Sequence, residues 1–184
     1  VYEGEALQLR GTAYDNDCMM YAYQEGPEYE DRGAINLFVN SDGEFNSLMY
    51  NGFYKIVLRQ DRGPWIPRKD TIEVNIKGNQ ILDVEVTPYF LIKDTEIDFQ
   101  NKVVKVKCKI NQVVETASID RAVIYISKTK LVDNVAKIAE KSFTNLTPGE
   151  HEFTFDLSDN GVTDAAKFLY ARVGVKARQG NDYI

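Results

Sequence analysis

The sequence of 184 residues predicts an all-β protein built from two antiparallel β-sandwich domains. Apolar and polar residues alternate in short segments along most of the chain, which is the pattern of strands with one buried face. Turn-forming residues, such as Ser41-Asp42-Gly43 and Asn51-Gly52, separate these segments. The sequence contains neither a βαβ alternation nor a heptad repeat, so it favours sheets joined by tight turns.

The first domain is predicted to span residues 1–91. Its strand at residues 35–39 illustrates the pattern, because three aliphatic side chains alternate there with Asn36 and Phe38. Pro88 ends the last strand of this domain, since proline has no N–H to donate to a central ladder. The predicted strands lie at residues 18–23, 35–39, 54–58, 72–76 and 82–86, with a weaker one at 7–9 and an acidic loop at 24–33.

The second domain is predicted to span residues 92–184, beginning with an acidic turn at residues 94–98. About ninety residues with four strong strands match the size of an immunoglobulin-like sandwich, although the sequence lacks the Cys–Trp–Cys signature of antibody domains. The predicted strands lie at residues 104–110, 119–127, 152–157 and 169–177.

One short helical insertion is predicted inside the second domain. Leu131, Val135, Ile138 and Ala139 lie at helical spacing, which is enough for about three turns of a surface helix. A second helical turn is predicted at residues 163–168, where Thr163-Asp164 would provide the N-cap.

Composition and charge exclude several classes of function. The 28 acidic and 22 basic residues give a net charge of −6, which argues against a nucleic-acid-binding face. Cys18, Cys108 and the single histidine, His151, are too few for a zinc site of several Cys and His ligands, and they disfavour a nucleophile–histidine triad. We expect both cysteines to be free thiols. The sequence lacks a phosphate-binding glycine loop and a nucleophile elbow, so we expect neither a cofactor nor enzymatic activity.

The acidic residues are concentrated in the first half of the first domain. Residues 1–50 contain ten acids and two bases, for a local net charge of −8. Such a surface attracts a cation or a basic partner, or it simply keeps the protein soluble. Asp15-Asn16-Asp17 and Asp42-Gly43-Glu44 are the densest groups, but neither has the spacing of a calcium-binding loop, and we interpret both as turns. We therefore predict no metal site.

The strongest candidate for a binding site is the loop at residues 61–68, which contains the only tryptophan of the chain. Trp65 stands between Pro64 and an Ile-Pro pair, so this loop is stiff and would lose little entropy on binding. Sugar rings stack on flat aromatic rings, and Arg62 and Arg68 would supply hydrogen bonds beside Trp65. The alternative is that Trp65 folds back and covers the end of the sandwich, as buried tryptophans often do.

Exposed tyrosines extend the candidate set for carbohydrate binding. Tyr29 and Tyr50 lie in predicted loops and complete the set, with Tyr21 and Tyr23 as further candidates. His151 follows a Pro-Gly turn and is interpreted as an exposed turn residue.

Several segments in order along the chain resemble a two-domain surface lipoprotein family of Bacteroidetes whose function is unknown. The junction Val86-Thr87-Pro88-Tyr89 and the strand Tyr170-Ala171-Arg172-Val173-Gly174-Val175 are the most specific of them. The others are Tyr2-Glu3-Gly4-Glu5-Ala6, Asp42-Gly43-Glu44-Phe45, Asn51-Gly52-Phe53-Tyr54, Gly63-Pro64-Trp65 and Ser127-Lys128-Thr129.

The resemblance implies a prealbumin-like, or carboxypeptidase-regulatory-like, first domain followed by an immunoglobulin-like domain. It also implies an outer-membrane lipoprotein of the cell surface, encoded beside starch-utilisation-type glycan import genes. The resemblance implies membrane attachment only through a lipid anchor. The cysteine that carries this anchor is not among the residues of this sequence. The family has no established catalytic residues to carry over.

We therefore predict a non-catalytic surface accessory protein that assists polysaccharide binding or uptake, with outer-membrane glycan-import proteins as partners. The alternative is a structural or adhesive module that docks another surface protein, for example through the acidic residues of 1–50.

Overall fold

The computed structural model is all-β, which confirms the predicted fold class. Its ten strands belong to three antiparallel sheets, and a single turn of 3-10 helix at Ser158–Asn160 is the one helical element of the described residues. No helix within these residues has the length and apolarity needed to cross a membrane. The structure describes residues 18–30, 32–40, 42–130, 132–160 and 169–184.

The first half of the chain forms one four-stranded antiparallel sheet in the order β2-β1-β3-β4. Alternation in the sequence produces its two faces, because Leu37, Ile56 and Leu58 point inward while their neighbours point outward. Trp65 and several segments outside the strands cover the inward face. The strands are β1 (Cys18–Gln24), β2 (Ile35–Phe38), β3 (Gly52–Leu58) and β4 (Ile72–Ile76).

The strand predicted at residues 82–86 does not form. Leu82, Val84 and Val86 do pack on the inward face of the sheet, and their neighbours are exposed, as the alternation indicated. The segment nevertheless lacks a ladder with any described strand. Alternation reports which side chains are buried, whereas a strand also needs a partner for its backbone hydrogen bonds.

The second half of the chain forms a sandwich of two three-stranded sheets, in the orders β5-β6-β9 and β10-β7-β8. Side chains from both sheets, including Val106, Ile124 and Phe153, meet in one core. The lysines of β6 lie at outward positions, as predicted. The strands are β5 (Phe90–Gln100), β6 (Val103–Gln112), β7 (Ile119–Ser127), β8 (Ala139–Phe143), β9 (Gly149–Asp156) and β10 (Tyr170–Ala177).

The acidic turn predicted at residues 94–98 is part of β5 instead. A bulge between Lys93 and Glu96 absorbs the irregular pattern, and Asp94 has a φ of 51° there. The chain reverses later, at Asn101 and Lys102, whose φ values of 50° and 65° suit a two-residue hairpin turn. The acids of this strand are exposed, and Glu96 and Asp98 lie opposite Lys107 and Lys105 of β6 in the ladder.

The predicted helical insertion is also wrong. Residues 132–138 form bends, and Asp133 accepts hydrogen bonds through Oδ1 from the N–H groups of Val135 and Ala136, both at 2.7 Å. Bonds of this kind can cap the start of a helix, but the chain continues as bends up to residue 138. The N–H of Ile138 then donates to the carbonyl of Ile126, and β8 begins beside β7. Leu131 and the helical turn predicted at residues 163–168 lie outside the described residues.

Cys108 is a free thiol buried in the core of the second half, as predicted for this residue. Burial away from water disfavours the thiolate and raises the pKa of Cys108 from 9.0 to about 11. The raised pKa means that the folded state holds the proton more tightly than the unfolded state. This contribution to stability is present below pH 9 and is lost as the pH rises towards 11.

We expect the free energy of unfolding to fall by roughly 1–3 kcal/mol more between pH 8 and pH 11 in the parent protein than in Cys108→Ala. Urea unfolding at several pH values measures this difference. Comparison with Cys108→Ala cancels the titration of lysines and tyrosines that both proteins share. Equal pH profiles for the two proteins would contradict the assignment.

Candidate functional site

The loop at residues 61–68 forms the junction between the two halves of the chain. The N–H of Ile66 donates to the carbonyl of Thr87 at 2.9 Å, and the N–H of Tyr89 donates to the carbonyl of Pro64 at 3.0 Å. The loop therefore pairs with the linker that leads into β5. Its stiffness, which suggested a binding loop, instead positions the linker.

Trp65 is buried in this junction, with 6% of its surface exposed. Gly63 lies so close to the indole that a Cβ on this glycine would stand 2.1 Å from Cε2 of Trp65. The indole Nε1 has no hydrogen-bond acceptor within the part of the chain that the structure describes. The exposed stacking ring predicted at Trp65 is therefore wrong, and Trp65 covers the end of the sheet as in the alternative interpretation.

Arg68 is held by the scaffold. Its Nε and Nη2 donate to the two carboxylate oxygens of Asp70, each at 2.7 Å, and its Nη1 donates to the carbonyl of Glu85 at 3.1 Å. The hydrogen bond from Arg68 lowers the pKa of the Asp70 carboxyl. This guanidinium fastens the loop to the segment before the junction.

Arg62 faces the second half of the chain, where it meets Asp182. Asp182 is a buried carboxylate; its Oδ2 accepts the N–H of Gly63 at 2.6 Å, and its Oδ1 lies 3.4 Å from Nη1 of Arg62. Two hydrogen bonds between Val175 and Ile184 hold the segment around Asp182 along β10. The pair therefore joins the loop at residues 61–68 to the end of the second sandwich.

Tyr29 and Tyr50 lie at the other end of the first sheet. The hydroxyl of Tyr54 donates to the carbonyl of Tyr50 at 2.9 Å. Burial raises the pKa of Tyr54, and the proximity of Tyr29 raises it further by a smaller amount. Tyr50 is 85% exposed, whereas Tyr29 is half-buried under the guanidinium of Arg32. The seven residues of β3, about 23 Å of strand, separate this end from the junction. The five predicted residues therefore do not form one site.

A row of aromatic side chains crosses the outward face of the first sheet. We call Tyr21, Tyr23, Phe38 and Phe53 the aromatic row. Tyr23, Phe38 and Phe53 are 44%, 45% and 59% exposed. Exposed aromatic side chains in this number on one sheet face are unusual for a surface that serves only solubility.

The strand register places these four side chains in sequence along β1. Phe38 is opposite Cys18 at the start of β1, and Tyr21 is opposite Asn36. Tyr23 is opposite Lys55, and Phe53 lies two residues before Lys55 on the same face, diagonal to Tyr23. The row therefore extends over the length of β1, about 23 Å for its seven residues.

Polar groups border the aromatic row. Lys55 forms an ion pair with Glu25, and the hydrogen bond that its ammonium donates to this carboxylate raises the pKa of Lys55. The guanidinium of Arg59 lies 5.8 Å from the centre of the Tyr21 ring. Asn75 stands opposite Phe53 in the ladder. The surface thus combines flat apolar rings with hydrogen-bonding groups, the combination that sugar rings and their hydroxyls require.

The sequence indicated part of this row, since Tyr21 and Tyr23 were among the further candidates. Phe38 was missed because it occurs within the predicted strand at residues 35–39, and Phe53 was missed because the predicted strand began only at residue 54, whereas β3 begins at Gly52. The signal was present: each phenylalanine takes an outward position where a polar residue is normal for a half-exposed strand.

Cys108 and His151 are opposite each other in the ladder between β6 and β9. The thiol is buried with a raised pKa, and Nε2 of His151 lies 2.7 Å from the carbonyl of Thr147. The imidazole also stacks on Phe153, with ring centres 5.5 Å apart. His151 is thus tied to its own turn. The described residues contain no group of three or more His, Cys, Asp or Glu that would hold a metal ion.

Comparison with models of protein families shows to which family the chain belongs. The model of the DUF3823 N-terminal domain, a protein family of unknown function, matches residues 1–87, and the model of the DUF3823 C-terminal domain, also of unknown function, matches residues 90–184. The chain belongs to the DUF3823 family. A search of the curated proteins finds no match.

Solved structures of DUF3823 proteins share the fold along the whole chain. A family protein from Parabacteroides merdae is 35% identical with a TM-score of 0.90, and one from Bacteroides ovatus is 29% identical with a TM-score of 0.82. Each alignment covers 100% of this chain and 90% of the other. A proposed carbohydrate-binding protein from Bacteroides uniformis is 17% identical with a TM-score of 0.71, over 96% of this chain and 84% of that one, and shows the same fold.

Proposed function

We propose that this DUF3823 protein is a non-catalytic carbohydrate-binding protein that holds a polysaccharide chain on the aromatic row. The observation that carries this proposal is the exposure of Tyr23, Phe38 and Phe53 along one face of the first sheet. The proposed carbohydrate-binding protein of the same fold adds support.

A flat aromatic face suits an extended glycan better than it suits a small molecule. Stacking of sugar C–H faces on successive rings provides affinity, and Lys55, Glu25 and Asn75 beside the rings provide hydrogen bonds to hydroxyls. Tyr50 is exposed at the end of the sheet nearest Phe53 and extends the surface there. Binding of this kind requires no chemical step.

We expect the double variant Tyr23→Ala/Phe53→Ala to bind a recognised neutral polysaccharide at least about tenfold more weakly than the parent, because both stacking faces are lost. A panel of plant and host polysaccharides in affinity gel electrophoresis identifies the ligand, and titration calorimetry with its oligosaccharides gives the dissociation constant. Both side chains are exposed, so thermal unfolding of the variant should match the parent within a few degrees.

Phe99→Ala is the matched control for Phe53→Ala. Phe99 is 46% exposed on β5, in the other half of the chain, so its truncation removes a comparable ring without touching the aromatic row. We expect less than a twofold change for it. No binding by the parent across the panel, or equal loss in Phe99→Ala, would overturn the proposal. Retention of a protein partner that is released at high salt would favour the adhesive alternative.

We also propose that the protein acts at the cell surface as an outer-membrane lipoprotein beside glycan-import proteins. The resemblance to surface lipoproteins of Bacteroidetes supports this location, and the family proteins from Parabacteroides and Bacteroides agree with that source. Protease accessibility of the protein on intact cells, with and without replacement of its lipid-anchor cysteine in the full-length gene product, tests the location.

A further inference from the structure

A polar groove of about 430 Å³ lies beside the junction, and none of the four residues of the aromatic row lines it. Its walls come from the loop at residues 61–68, from β7, β8 and β10, and from the segments at 132–138 and 181–183. Its volume is within the range of about 300–1,000 Å³ that small-molecule sites occupy.

Four cationic side chains line this groove in a protein whose net charge is −6. They are Arg62, Arg121, Lys137 and Lys176. Two carboxylates line it as well. Glu140 lies 3.1 Å from Nζ of Lys137, and Asp182 is held by Arg62 and the N–H of Gly63. The lining therefore carries a surplus of two positive charges, opposite in sign to the net charge of the protein.

Two of the cations are well placed to receive an anion. Lys176 makes no ion pair with the described residues, and its ammonium lies 5.9 Å from the centre of the Tyr183 ring. Arg121 is 41% exposed; its Nε donates to the hydroxyl of Tyr183 at 2.7 Å, and its nearest carboxylate, that of Asp120, is 3.5 Å away and outside the groove lining. A bound anion would replace solvent at both groups.

Two tyrosines give the floor of the groove a fixed shape. Tyr125 and Tyr183 meet edge to face, with ring centres 6.1 Å apart, and both are buried. The Lys137 ammonium lies 5.7 Å from the centre of the Tyr125 ring, and Arg121 lies 5.7 Å from that of Tyr183. Cations resting on buried rings are restrained before a ligand arrives, which reduces the entropy lost on binding.

We propose that this groove binds an anionic oligosaccharide through the carboxylate or sulfate groups on its sugars. Arg121, Lys137 and Lys176 contact the anionic oxygens, while the side-chain amides of Asn134 and Asn181, which also line the groove, hydrogen-bond to sugar hydroxyls. This mixture of cations and neutral amides suits a charged sugar better than a lipid headgroup, which presents its anion without a row of hydroxyls. The site is separate from the aromatic row and goes beyond the proposed function.

Titration calorimetry of the whole chain with three probes tests the groove. Oligogalacturonate carries carboxylates, a chondroitin sulfate oligosaccharide carries both anions, and methyl-esterified oligogalacturonate has the same rings without the charge. We expect at least one anionic probe to bind, and affinity to fall as salt is raised from 50 to 300 mM. The methyl ester should bind at least tenfold more weakly than its parent sugar, a loss of at least about 1.4 kcal/mol.

The variant Lys137→Gln/Lys176→Gln removes two groove charges, and we expect it to weaken binding of the anionic probe at least tenfold. The control Lys105→Gln/Lys109→Gln makes the same charge change at exposed positions of β6 and should alter binding less than twofold. Thermal unfolding checks that the variants fold, and the single variant Lys176→Gln serves if the double variant does not.

Three results would overturn the proposal: no binding of either anionic probe, equal affinity for the methyl ester, or equal effects of the groove and control variants. Binding of anionic phospholipid vesicles in a groove-dependent manner, without oligosaccharide binding, would assign the groove to a lipid headgroup instead. The variants of the aromatic row should leave binding of the anionic probe unchanged, so failure at either site is distinguishable from failure at the other.

Discussion

Gly63→Ala is expected to lower the free energy of unfolding by about 3 kcal/mol. The added methyl group would meet the rigid indole of Trp65 at 2.1 Å, and a side chain at a φ of 91° strains the backbone. The indole has little room to retreat because it is packed in the core of the first half. Urea unfolding followed by the fluorescence of Trp65, the single tryptophan, measures the loss at the junction itself.

Gly78→Ala separates the two causes. Gly78 has a φ of 74°, and a Cβ there would meet nothing within 4 Å, so only backbone strain of about 1–2 kcal/mol remains. The difference between the two variants is the steric cost at Trp65. If both variants lost the same stability, the close contact between Gly63 and the indole would be refuted.

Asp182→Ala is expected to cost a similar amount, about 3 kcal/mol. The substitution leaves the N–H of Gly63 without its acceptor in a buried position, and it removes the ionic partner of Arg62. The N–H accounts for most of the loss, because Arg62 remains partly exposed and water can replace its partner. Urea unfolding with Trp65 fluorescence and far-ultraviolet circular dichroism reports whether the two halves still unfold together.

Two further variants provide the comparison for Asp182→Ala. Asp182→Asn keeps an acceptor oxygen for Gly63 and should recover most of the stability. Asp61→Ala breaks an ion pair with Arg59 whose carboxylate is 65% exposed, and should change stability by less than about 1 kcal/mol. A loss in Asp182→Ala no larger than that in Asp61→Ala would show that the buried carboxylate does not join the halves.

The sequence predicted a carbohydrate-binding loop around Trp65, and the structure buries this side chain in the junction instead. The stretch around Trp65 has the composition of a binding loop, and the same stiffness serves a junction that must hold two domains. The stretch itself does not distinguish the two roles, because Trp65 is held against Pro88 and Ile66 against Thr87, in a segment that comes later in the chain. The outward aromatics, by contrast, were visible in the sequence as exceptions to the alternation.

Strand content followed from the sequence because each strand buries one face, and burial of alternate side chains leaves a period of two in the residues themselves. The composition likewise shows that the chain has two cysteines and one histidine, too few for a zinc site of several Cys and His ligands. Pairing with β7 changed the details, because the N–H of Ile138 donates to the carbonyl of Ile126 and β8 begins where the helix was predicted.

The sites depended on the tertiary structure. Arg62 and Lys176 are more than a hundred residues apart, and only the packing of the loop at 61–68 against the segment around Asp182 brings them to one groove. The aromatic row needs the register of β1 with β2 and β3 to align its rings. A pattern along one segment records which face of that segment is buried, whereas the neighbours of that face are set by contacts between segments that no single stretch encodes.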